Sequence, residues 1–322
     1  MLSRRHLLQA LPVLPSALGT PLTVAQPIAG KPVTLLVAAS AGATVDASAR
    51  FAAEPLSKIL GVPVVVENRP GAGGALGSAA VAKAAPDGHT LLFTGVIHFS
   101  ARYSGEGASY DPVKDFKAVA RLCSAALAVV VPTNSPYKTL ADLIAAMKAR
   151  PGEIDYSSGG VGSTSHLSTV ILNDLTGTRA NHVPYKGNTP AVTDTVGGVV
   201  AFTCQGSGGV LPLIKAGRLR ALAVTSKNRW DALPDVPTGI ECGIPGFEVA
   251  SWMAAFAPAG TPDAMVTAVS DGLAKIARSP EFKAFCDKQS MFVDLVEHRA
   301  FQASMPEEDK RWRRVAELVR RS

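Results

Sequence analysis

The sequence predicts an α/β protein with mainly parallel strands flanked by helices, and three observations carry that expectation. Short apolar runs such as VTLLVAA (33–39) alternate with helical segments of about three turns. Glycine and proline clusters punctuate the joins. The alternation begins again after residue 126, which suggests two α/β blocks. A β-α-β-α-β order of this kind needs crossover helices and so favours parallel strands with helices over both faces.

The elements follow in order. Residues 33–39 read as a buried strand, and a helix starting near Asp46 runs to Leu60. Val62–Glu67 is a second strand, NRPGAGG turns into a small-residue helix over 75–84, and Thr90–Phe93 is a third strand. Ala126–Val131 opens the second block. Thr139 and Asp142 form a capping box ahead of a helix carrying Leu140, Leu143, Ile144 and Met147 on one face. Ile154–Ser157, Ala180–Val183, Val199–Thr203 and Leu219–Val224 read as strands. Helices are expected over 167–175, from Asn188 or Thr189, and over 210–215. Beyond residue 225 the chain becomes rich in proline and glycine. Helices then follow over 263–277, 280–288 and 298–320.

The first 25 residues read as a secretory signal: Arg4 and Arg5 precede an apolar run too short and proline-broken to span a bilayer. Ser3 to Gln9 is close to a twin-arginine signal, and Thr23-Val24-Ala25 suits cleavage. A periplasmic location follows, by that route or by general secretion. The formal net charge of +6 falls by two once Arg4 and Arg5 leave. The remaining excess mildly favours anions but lacks the basic, aromatic-interleaved stretch of a nucleic-acid binder. The four cysteines, Cys123, Cys204, Cys242 and Cys286, are far apart and read mainly as buried apolar residues. No ligand spacing for zinc occurs, and no metal or cofactor is expected.

Three loops leave predicted parallel strands at their C-terminal ends and lead into helices: Ser40–Asp46, Gly159–His166 and Tyr185–Thr189. Ligands of open α/β sheets lie there. Each helix start offers unpaired N–H groups and the positive end of the dipole, which suit a carboxylate or phosphate. Ser163, Thr164 and Ser165 add hydroxyl donors. Tyr185 is placed to cover a ligand's carbon skeleton, Lys186 to attract an acid or brace its loop, and Gln205 to reach the same cleft. Plain helix capping is the competing account of each loop. Gly159–Ser165 lacks the Lys-Ser or Lys-Thr end of a P-loop. The glycines at 71, 73, 74 and 77 miss the dinucleotide spacing, and no nucleophile elbow occurs.

These stretches, with VVVENRPGAGG, AKAAPDGHTLL, SYDPVKDFKAV, GSTSHL, HVPYKGNTPAVTD, IKAGRLRALAVTS, LPDVPT and APAGTP, resemble the periplasmic receptors of tripartite tricarboxylate transporters, the Bug family. The resemblance runs from about Lys31 to about Arg313. It implies a two-lobed periplasmic binding protein of the class II style. Residues 26–128 and 229–322 would form lobe 1, and 129–228 lobe 2. The second lobe would grip a carboxylate through Gly162, Ser163, Thr164 and Ser165, beside Tyr185, Lys186, Gly187 and Asn188. The first would contribute Ala39, Ser40, Gly42, Thr44 and Asp46, with Thr94, Gly95 and Val96 as a further wall and Gln205 nearby. The closed form would be read by a membrane permease, and a monomer without catalytic residues is expected.

The first loop departs from the family pattern. Only Gly42 and Asp46 keep it, and the usual proline and aromatic are missing from AASAGATVD. Few cations are placed to neutralise three charges, so the expectation is a mono- or dicarboxylate, aromatic acids included, rather than a tricarboxylate. Two alternatives stand beside a receptor. One is an exported enzyme using Ser163, His166 and Asp46. The other is a sensor that presents its ligand to a signalling protein.

Overall fold

The computed structural model describes residues 30–103 and 108–321; the signal region expected over residues 1–25 lies outside the described residues. Within them, ten strands form one sheet system and ten α-helices and one short 3-10 turn cover it.

The described residues open with β1 (Val33–Val37), α1 (Thr44–Leu60), β2 (Val64–Asn68), α2 (Ala75–Ala82), β3 (Thr90–Gly95) and α3 (Ile97–Tyr103). β1 pairs in parallel with β2 and β3, as β-α-β crossover connections allow. α1 ends because Gly61 adopts the left-handed conformation (φ 71°) and returns its N–H to Ser57 O at 2.9 Å. The 17-residue β4 (Phe116–Pro132) follows, then α4 (Leu140–Ala149), β5 (Asp155–Ser158), α5 (Thr164–Thr176), β6 (Asn181–Pro184), α6 (Asn188–Val196), β7 (Phe202–Gly206), α7 (Ser207–Lys215) and β8 (Leu219–Val224). The chain closes with β9 (Ala250–Pro258), α8 (Asp263–Ala277), α9 (Pro280–Lys288), β10 (Phe292–Glu297) and α10 (His298–Arg321).

The order β2-β1-β3-β9-β4-β7-β5-β6 makes β4 the common member. Its first part, Phe116–Ala126, pairs antiparallel with β9, and β10 joins it there. From Leu127 to Pro132 it pairs antiparallel with β7 and β8 instead. The parallel pairing expected from the sequence is therefore found on the two flanks, in β1-β2-β3 and β5-β6-β7, while the middle is antiparallel. The reason is topological: β4 and β9 carry the chain between the two flanks in opposite directions.

Two strands are not foreseen from the sequence. β9 (ASWMAAFAP) is buried from Trp252 onward but contains four alanines and no β-branched residue, so it lacks a strand-former's signature. β10 (FVDLVE) is short and partly exposed. A third strand begins later than expected, at Phe202, because the chain turns through Gly198 (φ 75°) and leaves Val199 66% exposed.

The core divides among three clusters. One is centred on Phe93, Leu56 and Phe282, beneath α1 and α8. One contains Phe99, Phe116, Phe256, Trp252 and Phe301, and reaches α10 and α5. The third holds Val210, Leu219, Trp230 and Leu233. All four cysteines are free thiols, three buried and Cys242 half-buried.

Candidate functional site

Strand direction locates the site. β3 runs antiparallel to β9, and β9 antiparallel to β4, so β1, β2 and β3 run with β4. β7 runs against β4, and β5 and β6 run with β7. The C-terminal ends of both parallel sets thus point at one another along β4. Gly95, at the end of β3, is level with Met253 and hence with Cys123, whereas Gly206, at the end of β7, is level with Leu127. Four residues of strand separate the two edges, about 13 Å at ~3.3 Å per residue. The loops named from the sequence hang over that gap.

On the first edge Asp46 organises its own loop. Its Oδ2 accepts from Gly42 N at 2.8 Å, its carboxylate pairs with Arg50 Nε at 3.0 Å, and Oδ1 accepts from Asn68 Nδ2 at 2.8 Å. Burial pushes its pKa up, but the hydrogen bonds from Arg50, Gly42 and Asn68 outweigh it and hold the carboxyl below its ordinary range. Asn68 Nδ2 also donates to Ala39 O at 3.1 Å. Ser40 and Thr44 are exposed, and Ser40 O accepts from Ala43 N. Thr44 opens α1, whose first N–H groups have no partner within the helix. Thr94 is fully buried at the end of β3, Gly95 is half-buried, and Val96 is buried.

On the opposite edge the serines form a cradle. Ser163 caps α5: its Oγ accepts from His166 N at 3.3 Å, donates to Gly160 O at 2.7 Å and lies 3.0 Å from Ser165 Oγ. Ser165 Oγ accepts from Gly159 N at 3.0 Å. Thr164 begins the helix. Gly162 N donates to His166 Nδ1 at 3.1 Å, so that nitrogen carries no proton. The His166 ring stacks on His182 at 4.1 Å, which stacks on Tyr156 at 4.8 Å. Burial, followed by the neighbouring His182, drives His166 down to about 4 and keeps it neutral.

The third loop meets this cradle. Asn188 Oδ1 sits where a side chain on Gly159 would start, and Gly187 holds a φ of 117° that a side chain would strain. The Tyr185 hydroxyl donates to Asp194 Oδ2 at 2.6 Å, a bond that raises its pKa to about 12 and commits the hydroxyl to α6. Lys186 and Asn188 are exposed. Of the seven buried side-chain atoms without a partner among the described residues, two lie at these edges: Thr94 Oγ1 on the first and Gln205 Nε2 on the second. A buried polar atom without a partner costs about 1–3 kcal/mol, which a bound polar molecule offsets. The sequence points to the loops, Gly159 included, but not to Asn68, whose bonds to Asp46 and Ala39 O reach back 22 and 29 residues, nor to the stack of His182 on His166.

A larger cavity of about 880 Å³ lies elsewhere, against α9, β10 and residues 226–232. None of the residues named from the sequence lines it. Some of its charges pair with one another, as in Arg121–Asp294 and Lys283–Asp287. Among the described residues no cluster of His, Cys, Asp or Glu could hold a metal ion, and no helix is long and apolar enough to cross a membrane.

The sequence pattern of the tripartite tricarboxylate transporter family receptors matches residues 48–320. The chain belongs to that family. Its fold is the two-lobed fold of a periplasmic binding protein. The chain is similar to the periplasmic binding protein BugD, with 31% identity and a TM-score of 0.71 over 91% of this chain and 98% of BugD. It is similar to R. palustris Rpa4515, solved with adipate, at 34% identity and a TM-score of 0.73 over 90% and 97% of the two chains. MatC from Rhodopseudomonas palustris, solved with bound malate, shares 30% identity at a TM-score of 0.70 over 89% and 99%. The family and fold are those of periplasmic solute-binding receptors.

Proposed function

We propose that this member of the family binds a small organic mono- or dicarboxylate between the two facing strand edges and delivers it to a membrane permease. The observation that carries this reading is the convergence of the helix starts at Thr44, Thr164 and Asn188 on one gap, with Thr94 Oγ1 and Gln205 Nε2 unpartnered at its two edges. Helix N-termini and hydroxyls hold one carboxylate without a dedicated cation. The adipate and malate held by the two R. palustris relatives are of the same chemical class.

In this reading the site residues are those the sequence singled out: Ala39, Ser40, Gly42, Thr44 and Asp46 with Thr94 to Val96 on one lobe, and Gly162 to Ser165, Tyr185 to Asn188 and Gln205 on the other. Asp46 acts by shaping its loop. The lobes divide where β4 changes partners, close to residue 128. The contacts of Trp230 and Leu233 with Val210 and Leu219 favour a return crossing nearer Val249 than residue 228. The protein acts as a monomer and carries out no chemistry. The groups a hydrolase would need are engaged, Ser163 Oγ with Gly160 O and His166 Nδ1 with Gly162 N.

The test is calorimetric titration and thermal shift of the purified protein against dicarboxylates, tricarboxylates, acidic amino acids and aromatic acids. A ligand that binds only the folded state raises the melting temperature. A selective rise with one class of acid supports the reading, and no rise with any acid, on protein shown by native mass spectrometry to be empty, overturns it.

A further inference from the structure

A cavity of about 450 Å³ opens beside the serine cradle. Its walls come from the short 3-10 turn at Ala72, from α3, from the start of α5 with its loop, and from α10; Ser100 and Tyr103 of α3 are the uncharged polar residues among them. Ile97 stands on α3, Val161 and Gly162 belong to the loop ahead of α5, Leu167 lies in the first turns of α5, and Val315 and Val319 stand one turn apart on α10. Residues four apart on a helix share a face, so α10 presents a continuous apolar strip, extended by Trp312 and Ala316. Among the described residues lining the cavity only Arg320 is charged. It is exposed at the helix end, with Nε donating to Ala316 O at 3.4 Å. Gly162 belongs both to this wall and to the loop carrying Ser163, so cavity and cradle adjoin.

Two further facts bear on its occupant. Val161, at the tip of the anion loop, is 72% exposed, an apolar side chain left in the open at the border between cradle and cavity. The volume falls in the range of small-molecule sites, well above what a C4 acid fills. Apolar walls reward apolar atoms and penalise a second charge that finds no partner.

We infer that the cavity receives the hydrocarbon body of the ligand, so that the preferred class is a monocarboxylate with a medium alkyl or aromatic body, its carboxylate on the α5 cradle and its body against Ile97, Val161 and the α10 strip. The inference rests on the receptor reading above and narrows it. α10 thereby sets specificity: it packs against α3 and α5, and is tied to them by Tyr103–Asp309 at 2.5 Å and Arg314–Asp174 at 2.7 Å.

The experiment is calorimetric titration of the purified protein with acetate, butanoate, hexanoate, octanoate and phenylacetate, beside succinate, adipate and malate. Affinity should rise roughly fourfold per methylene from butanoate to hexanoate, and hexanoate should exceed adipate at least tenfold. Ala316→Phe, which fills the cavity from a half-buried position without adding charge, should weaken hexanoate at least tenfold and leave butanoate within twofold. Val319→Phe, which fills the cavity one turn further along α10 and likewise adds no charge, should act the same way and serves if the first variant melts early. Adipate binding as tightly as hexanoate, or variants that weaken short and long acids alike, would overturn the inference and leave the receptor reading standing. Binding of none of these acids, or of any other acid in the wider panel, would overturn both.

Discussion

A Cβ on Gly159 would lie 2.1 Å from Asn188 Oδ1, so two loops of the candidate site meet at a point with no room for a side chain. Asn188 is exposed and its amide can swing away. Gly159→Ala should therefore cost only about 1 kcal/mol or less of stability, yet separate the loop of α6 from the cradle of α5. We expect a carboxylate ligand to bind at least tenfold more weakly while the melting temperature stays within a few degrees. Pairing it with Asn188→Ala should restore much of the affinity. Unchanged affinity in the single variant would show that the contact does not shape the site.

Thr225 ties the crossing strands together. Its N–H donates to Leu127 O at 2.9 Å, its Oγ1 accepts from Leu127 N at 3.1 Å and donates to Val249 O, and Val249 N donates to Thr225 O at 2.9 Å. Thr225→Val keeps the volume but leaves the Leu127 N–H and the Val249 carbonyl short of partners. The expected loss is about 1–3 kcal/mol in urea denaturation, with Thr225→Ser recovering most of it. A loss below a few tenths would mean that water replaces the hydroxyl.

How much of this could be read in advance depended on sequence distance. Thr139 and Asp142 form both bonds of the capping box, at 3.1 and 2.9 Å, as their spacing required. The helices Asp263–Ala277 and Pro280–Lys288 fall where the pattern put them. Local chemistry decides such features. β9 could not be read, because an alanine-rich strand is held by pairing with β3 and β4, more than 120 residues earlier. At the site the glycine and hydroxyl loops were visible, since turn and cap residues act within a few positions. Gly42 and Arg50 support Asp46 from four residues away, but its third support comes from Asn68, 22 residues on, and the apolar wall of the cavity from α10 at the far end of the chain. Neither of these distant contributions leaves a local pattern.

The capping box supplies a control. Thr139→Ala removes the oxygen that accepts from Asp142 N, remote from both strand edges. It should cost about 1 kcal/mol in chemical denaturation and leave ligand affinity unchanged. A change in affinity would indicate that α4 is coupled to the site.

Thiol labelling reports on packing. Cys123, Cys204 and Cys286 are buried and Cys242 is half-buried. Burial pushes the Cys204 thiol up to about 12, so it offers almost no thiolate at neutral pH. In native protein an alkylating reagent should modify Cys242 first, at a rate slowed by the burial that raises its thiol pKa, and the other three only on unfolding. Rapid native labelling of Cys204 would contradict the packing of β7 beneath α5.

The buried histidines set an acid limit on stability. His98 is enclosed by Phe99, Tyr110, Phe116 and Phe256, with one ring nitrogen bonded to Pro112 O at 3.1 Å. Burial drives it down to about 4 against the opposing pull of that carbonyl, and burial with His182 drives His166 to about 4. Both titrate near 6.5 in an unfolded chain. Between about 6.5 and about 4 the unfolded state therefore binds protons that the folded state refuses. Stability is fully present above that window and falls as pH drops through it. His98 alone should cost about 2 kcal/mol between pH 7 and pH 5, and His166 adds in the same direction. Protonation of His166 would also remove the acceptor of Gly162 N–H and disturb the cradle. Urea denaturation at pH 7, 6 and 5 measures the slope. A flat profile would mean that these rings take up protons in the folded protein, which the enclosure of His98 by four aromatic rings forbids.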